Sequence, residues 1–371
     1  MKTRVNGKKF AGDKIVFKAG QVLYSKLRPY LKKVLVADED GISTPELISF
    51  DTYGGILPQY IVYYLLSSFT GRAIDKRSYG IKMPRVDAGF MVNLPIPLPP
   101  VSEQRFIVGR VQSAFSALDA IDALQAKYAD NLTVLKSKLI DAAIQGKLTE
   151  QLPEDGTADE LYRQIQAEKQ ALIKAGKIKK EKPLPPITAD EIPFEIPANW
   201  KWVRLGAILL VQPSNGFSPH AVRYQTPYKN LTLTATTSGF FKPDAFKYVS
   251  ITPDIAEKYY LENNDILIQR SNSRDLVGTS CIYRHGSKKY IYPDLMMRIH
   301  VMEGINTDFI DYILKAPLSR AFFKKEASGT SESMPKINQA TVRNALIPLP
   351  PLAEQKRIVM RLQDAFRMIG V

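Results

Sequence analysis

The 371-residue chain has one cysteine, Cys281, and three histidines, His220, His285 and His300. A single thiol excludes an intrachain disulfide, and four donors this scattered do not supply the Cys/His set of a structural zinc site. In its TSCIY setting Cys281 reads as a small buried hydrophobe, not a nucleophile. No apolar run approaches the roughly 18 residues of a membrane span. The N-terminal MKTRVNGKKF carries charge without an apolar signal core, so the expected location is cytoplasmic. Also missing are the GxxxxGKS/T phosphate loop and the GxGxxG strand-to-helix turn. No paired-acid nuclease pattern is visible; Asp265, Asp275 and Asp294 are scattered. Asp294 has its counterpart in Glu46, and both sit in apolar strand-like runs, which favours a structural role for each. These absences point to a chain that reads and does not catalyse.

Positive charge is what the chain has in excess: 51 Lys and Arg against 37 Asp and Glu, a formal +14. Residues 1–101 carry +7, 102–199 carry −2, 200–352 carry +7 and 353–371 carry +2. Two basic blocks flanking a near-neutral connector suit a polyanion gripped at two places, whereas a uniformly basic surface would suit general solubility. The split favours nucleic acid.

The blocks end on the same phrase. NLPIPLPPVSEQ occupies 93–104 and NALIPLPPLAEQ occupies 344–355. Downstream, EQRFIVGRVQSAF matches EQKRIVMRLQDAF; upstream, KMPRV matches SMPKI; further back, TPELISF resembles YPDLMMRI and GQVLYSKLR resembles NDILIQRSN. Each copy is therefore a basic domain, a proline clamp and a helix. Prolines 95, 97, 99 and 100, and 348, 350 and 351, extend neither a helix nor a central strand, so each clamp is a stiff extended segment setting the angle at which a domain meets its helix. An SH3-type ligand reads less well, because Ile and Leu alternate with the prolines and a helix follows at once.

After the first clamp, with Ser102 as N-cap, alternating 4,3 spacing picks out Ile107, Val111, Ala114, Leu118, Ile121, Gln125, Tyr128, Leu132, Leu135, Leu139 and Ala142. This is a coiled-coil seam ending at Gly146, a helix of about 44 residues and roughly 66 Å at 1.5 Å per residue. Ile358, Leu362, Ala365 and Ile369 begin the same pattern in the second copy. Between the repeats, 158–176 reads as a short amphipathic helix with Leu161, Ile165 and Leu172 inward, followed by a charged, Pro-rich tether whose Lys177 to Lys182 run is a solvated linker. GQVLY, DILIQ, TSCIYR and RIHVM read as strands, and PQYIVYYLLSS and TDFIDYILKAP as helices in equivalent places. The class is α+β, one fold used twice in a pseudo-twofold internal repeat.

For reading DNA the useful parts are donors on loops. In the first block they are Lys26, Arg28, Lys76, Arg77, Tyr79 and Lys82; in the second, Arg270, Ser271, Asn272 and Arg274 directly after a strand, then Lys324, Lys325, Ser328, Thr330 and Lys336 around a Ser/Gly/Thr loop. Any one of these loops reads equally as solvated surface; their recurrence in two basic domains is what favours binding.

The arrangement resembles the specificity subunit of type I restriction-modification systems. The resemblance is carried by the two clamps with their helices, KLIDAAIQGKL at the end of the first helix, IPFEIPANWKWVRLG entering the second domain, and GQVLYSKLRPYLKK in the first. It implies a first target recognition domain at 1–101, a long spacer helix at 102–147, a short helix and linker at 148–199, a second recognition domain at 200–352 and the start of a second spacer helix at 353–371. Each recognition domain then reads half of a split DNA site and directs adenine methylation or restriction by partners. On this resemblance the chain itself is expected to be a non-catalytic, cytoplasmic, DNA-binding subunit with no directly bound cofactor and no metal. The resemblance implies two methyltransferase subunits using S-adenosylmethionine, and restriction/translocase subunits using ATP and Mg. No Asn-Pro-Pro-aromatic methyltransferase tetrapeptide occurs in the chain, in keeping with this. Against the pattern, the first recognition domain and the second spacer helix look truncated: about 60 residues precede DILI from Trp200, against about 20 before GQVLY. A second reading stays open, an interaction module or decoy that binds methyltransferase subunits without specifying DNA, with self-association through the incomplete coiled coil.

Overall fold

A computed structural model describes residues 12–329 and 334–370. It divides into two compact units, Met1–Tyr128 and Ala129–Val371.

The first unit begins with short strands β1 (Ile15–Phe17), β2 (Val22–Ser25), β3 (Val34–Val36), β4 (Gly41–Ser43) and β5 (Leu47–Phe50). Helices α1 (Pro58–Leu66), α2 (Ser68–Arg77) and α3 (Ala88–Val92) follow. The sheet order is β3-β2-β5, with β1 and β4 paired separately. Alternation puts Val22 and Tyr24 against Ile61, Leu65, Ile74 and Val86 in one core. Helix α4 then runs Val101–Ile144, 44 residues, and Gly146 takes a positive φ of 70° just past its end. It starts one residue before Ser102, directly after Pro100.

In the second unit α5 (Ala158–Lys174) opens with a capping box in which Thr157 and Glu160 satisfy each other's end of the first turn. Strands β6 (Lys201–Arg204), β7 (Leu209–Asn215), β8 (Lys229–Leu231) and β9 (Phe246–Tyr248) precede α6 (Pro253–Tyr259). Strands β10 (Ile266–Gln269), β11 (Ser280–Ile282) and β12 (Met296–Val301) lead to α7 (Thr307–Lys315), α8 (Pro317–Glu326) and α9 (Gln339–Asn344), then β13 (Leu346–Leu349) and α10 (Leu352–Met368). The main sheet is ordered β11-β10-β12-β7, all antiparallel.

The repeat holds strand by strand. Leu23 faces Leu35 as Leu267 faces Cys281, and Val22 faces Phe50 as Ile266 faces Ile299. Strand β7 adds a fourth strand in the second unit. One register detail differs from the sequence alignment: the backbone N–H of Lys26 bonds to Glu46 O and that of Arg270 to Leu295 O, so Leu295, not Asp294, occupies the place of Glu46. One extra residue in the turn before β12 accounts for the shift.

The clamps differ. The second forms β13 against β6, Leu346 opposite Arg204 and Leu349 opposite Lys201, with Pro348 tolerated because the ribbon has only two strands. The first, among the described residues, forms no strand; its Pro95 and Pro97 carbonyls accept hydrogen bonds from the Tyr64 and Tyr60 hydroxyls. The Pro-rich segment before Trp200 is also more than a tether. Arg204, buried, donates to the Pro185 and Pro186 carbonyls and to the Glu191 carboxylate, and Arg343 donates to Lys182 O.

The coiled-coil seam of α4 is covered only near its ends. Ile107 and Val108 join the first core, and Ile140, Ala143 and Ile144 join a core containing Ile358, Val359 and Leu362 of α10. From Gln112 to Asn131 every residue is exposed. Helix α10 is 17 residues long.

Candidate nucleic-acid interface

Each unit builds the same small ladder from the repeated Met-Pro-basic tripeptide. In the first, Arg85 is bridged on one side to Leu27 and on the other to Tyr79. Val86 N–H donates to Lys26 O at 3.1 Å, Arg28 N–H to Pro84 O at 2.7 Å, and Arg85 and Tyr79 exchange bonds of 2.8 and 2.9 Å. In the second, Lys336 is bridged to Ser271 and to Ser328. Ile337 N–H donates to Arg270 O at 3.0 Å, and Lys336 and Ser328 exchange bonds of 2.8 and 2.9 Å. A bridging segment centred on a basic residue thus joins the loop after β2 or β10 to the loop after α2 or α8. Sequence reasoning had nominated these loops one by one; the ladder places them side by side.

Around the first ladder, Arg28, Lys76, Arg77, Tyr79 and Lys82 are exposed and Lys26 is half-buried. Arg28 sits in the left-handed region, φ 51°, an uncommon conformation for a non-glycine residue. The guanidinium of Arg77 lies 5.9 Å from the Phe90 ring centre. Arg85 pairs with Glu46 at 2.7 Å, an exposed bridge of small energetic weight.

Around the second ladder the donors are more committed. Ser271 is buried and its hydroxyl has no partner among the described residues, so it faces protein and not solvent. Asn272 donates to Gln269 Oε1 at 2.7 Å and accepts from Ser273 N–H. Arg270 donates to Asp294 O at 3.3 Å and Arg274 to Lys324 O at 3.2 Å. The Lys324 ammonium, 2.8 Å away, holds the Asp275 carboxyl below the usual carboxylate range. Lys325, Ser328 and Lys336 are exposed. Thr330 lies outside the described residues. Asp265 is buried, bonded to His300 Nδ1 at 2.9 Å and near Arg298, a structural cluster. Cys281 is fully buried and its thiol is pushed up to about 12, chiefly by burial. Among the described residues no three His, Cys, Asp or Glu side chains gather as a metal site would require, and no helix is long and apolar enough to cross a membrane.

Two residues that fix the domains to their helices carried no role in the sequence reading, although both stand in the repeated phrase. Gln104 accepts from Leu57 N–H at 3.0 Å and donates to Pro99 O at 2.8 Å; Gln355 accepts from Asn306 N–H at 2.8 Å and donates to Pro350 O at 2.9 Å. Leu57 and Asn306 are the N-caps of α1 and α7, so each glutamine bolts a clamp to the same helix start. Glu354 is buried and accepts from Trp200 Nε1 at 2.8 Å, Gln151 Nε2 at 2.9 Å and Thr149 Oγ1 at 3.2 Å. Its counterpart Glu103 is exposed.

Residues 197–370 match the type I restriction modification DNA specificity domain. That match spans a little under half of the chain. The chain is 29% identical to the specificity subunit of type I restriction enzyme EcoEI of Escherichia coli, over 88% of this chain and 63% of that subunit. It is 28% identical to the EcoAI specificity subunit of the same species, over 94% and 67% respectively. The chain therefore spans less than two thirds of the EcoEI subunit. In fold it resembles a chain solved in a study of the assembly and conformational transition of the type I R-M system, with TM-score 0.64 and 19% identity over 96% of this chain and 76% of that one. It also resembles the HsdS subunit of Thermoanaerobacter tengcongensis, with TM-score 0.54 and 18% identity over 96% and 75%. Trp200, Glu354 and the Lys336 ladder all fall within the matched specificity domain, whereas the first ladder is tied to it by the internal repeat.

Proposed function

We propose that this chain is a non-catalytic DNA-specificity subunit in which each unit reads one half of a bipartite target. The observation that carries the proposal is the ladder built twice, from the same backbone bonds, on each of two basic blocks. The cationic loops at each ladder supply phosphate contacts that position the unit, and side chains beside them read base edges. In this reading methylation and cleavage belong to partners: two methyltransferase subunits using S-adenosylmethionine, and restriction/translocase subunits using ATP and Mg, all in the cytoplasm.

The test is adenine-methylation mapping of a host genome after co-expression of the chain with its cognate methyltransferase subunit. A split motif with a fixed gap is expected, and exchanging residues 200–352 for those of a relative should change one half only. Methylation without any motif would refute the proposal.

The open seam of α4 favours a second reading. Leu118, Ile121, Leu124 and Tyr128 are all about half exposed or more, an apolar stripe suited to another helix. A chain that uses it to self-associate, or to hold methyltransferase subunits as a decoy, would form stable complexes that protect no defined site.

A further inference from the structure

Arg270, Asn272 and Arg274, the donors after β10, are engaged with protein, and a further set of donors stands beyond them. This further set lies on the loop that leaves β7. At Gly216 the backbone crosses the 292–293 turn so closely that a Cβ would sit 2.1 Å from Tyr292 O and 2.5 Å from Pro293 O. Gly216 N–H donates to Met296 O, Phe217 N–H to Tyr292 O at 2.9 Å, and the buried Asn230 donates to Phe217 O. Phe217 stacks on Tyr259 with centroids 5.5 Å apart. Ser218 Oγ then donates to the Asp294 carboxylate and accepts from Asp294 N–H, while Asp294 O takes the Arg270 guanidinium. Further on, Ala221 is bridged to Val249 and Val222 N–H donates to Tyr248 O at 2.9 Å. The loop is thus rooted beside Arg270 and held again at β9.

Four side chains on this fixed loop, His220, Arg223, Tyr224 and Gln225, are exposed, and none has a hydrogen-bond or ion-pair partner among the described residues. A phosphate-gripping loop needs only cations and backbone N–H groups. This one offers a single arginine together with an amide, an imidazole and a phenol, which donate and accept. Resting on the reading of the chain as a DNA-specificity subunit, we propose that residues 218–225 form the base-reading element of the second unit. In this assignment Arg223 and Gln225 make the groove contacts, since a guanidinium pairs bidentately with a guanine edge and a carboxamide with an adenine edge. The Arg270–Lys336 ladder, already engaged with protein on one side, positions the backbone.

The experiment uses the full chain with its methyltransferase subunit and compares wild type, Arg223→Ala, Arg223→Lys and Gln225→Ala by methylation mapping and by binding to duplexes with and without the wild-type motif. Each alanine variant should relax one or two positions in one half of the motif and weaken binding to that motif by roughly tenfold to a hundredfold, leaving random duplex unchanged. Arg223→Lys keeps the charge but not the bidentate fork, so it should lose the preference with an unaltered salt dependence. An unchanged motif in all three variants overturns the assignment. So does an equal loss on every duplex with a shallower salt slope, which would make the loop a phosphate contact. If the wild type itself yields no motif, the specificity-subunit reading falls, and the loop assignment with it.

Discussion

Glu354 and Glu103 are the same letter at the same place in the repeated phrase, and the structure predicts opposite consequences for the same substitution. Glu354→Ala removes the acceptor of three bonds, from Trp200, Gln151 and Thr149. Gln151 is exposed and Thr149 half-buried, so both recover hydrogen bonds from water. Trp200 is only 5% exposed, and its indole N–H is left without a partner. An orphaned buried donor costs about 1–3 kcal/mol, and loss of the glutamate side chain from a buried site adds to it, giving about 2–4 kcal/mol in all. For a unit of the size of Ala129–Val371, that is a fall in melting temperature of about 5–15 °C. Glu354→Gln retains an acceptor oxygen and should fall between. Glu103→Ala touches an exposed side chain and should stay within about 0.5 kcal/mol. Both tryptophans, Trp200 and Trp202, lie in the second unit, so fluorescence during urea unfolding reports on that unit and far-UV circular dichroism follows both. Equal shifts for the two alanine variants, or none for Glu354→Ala, would refute the reasoning.

Gln104→Ala and Gln355→Ala should each destabilise their own unit by about 1–3 kcal/mol, because each frees a helix-cap N–H and a proline carbonyl, half-buried in the first unit and more deeply buried at Pro350 in the second; hydrogen exchange at the start of α1 or α7 should rise in the matching variant and not in the other. Cys281 should resist a thiol reagent at pH 8 in the native chain and react fully once guanidinium is added, since it is buried and burial pushes its thiol up to about 12; rapid native labelling would contradict the packing. The Arg357 guanidinium, hydrogen-bonded to it, holds the Asp155 carboxyl below its ordinary value. A depressed native carboxyl contributes its stability above the unfolded pKa of about 3.9 and loses it as pH falls through the native value. The urea-midpoint advantage of wild type over Asp155→Asn should therefore hold at pH 6 and shrink steadily below about pH 5; a gap independent of pH would remove the ion pair as its source.

The sequence by itself determined what depends on local pattern. The 4,3 spacing from Ile107 specifies a long helix whatever surrounds it, because helical geometry alone puts those side chains on one stripe. The strands of GQVLY, DILIQ and RIHVM, the helices after Pro58 and Thr307, the two clamps and the division of positive charge were all legible for the same reason. Tertiary structure decided what depends on partners distant along the chain. Nothing near Ser271 reveals that Lys336 pairs with it and that the chain packs over its hydroxyl, so a serine nominated as a DNA donor lies buried. Nothing near Arg223 or Gln225 reveals that Gly216 lets the chain cross close over residues 292 and 293 and roots the start of their loop beside Arg270. Glu103 and Glu354 show the division most plainly. Closely similar neighbours in sequence give both the same helix start, but only Glu354 meets Thr149, Gln151 and Trp200, roughly 150 to 200 residues earlier in the chain. Burial is a property of what arrives from elsewhere, and a repeat written twice in sequence acquires two fates when its partners are present at one copy and not at the other.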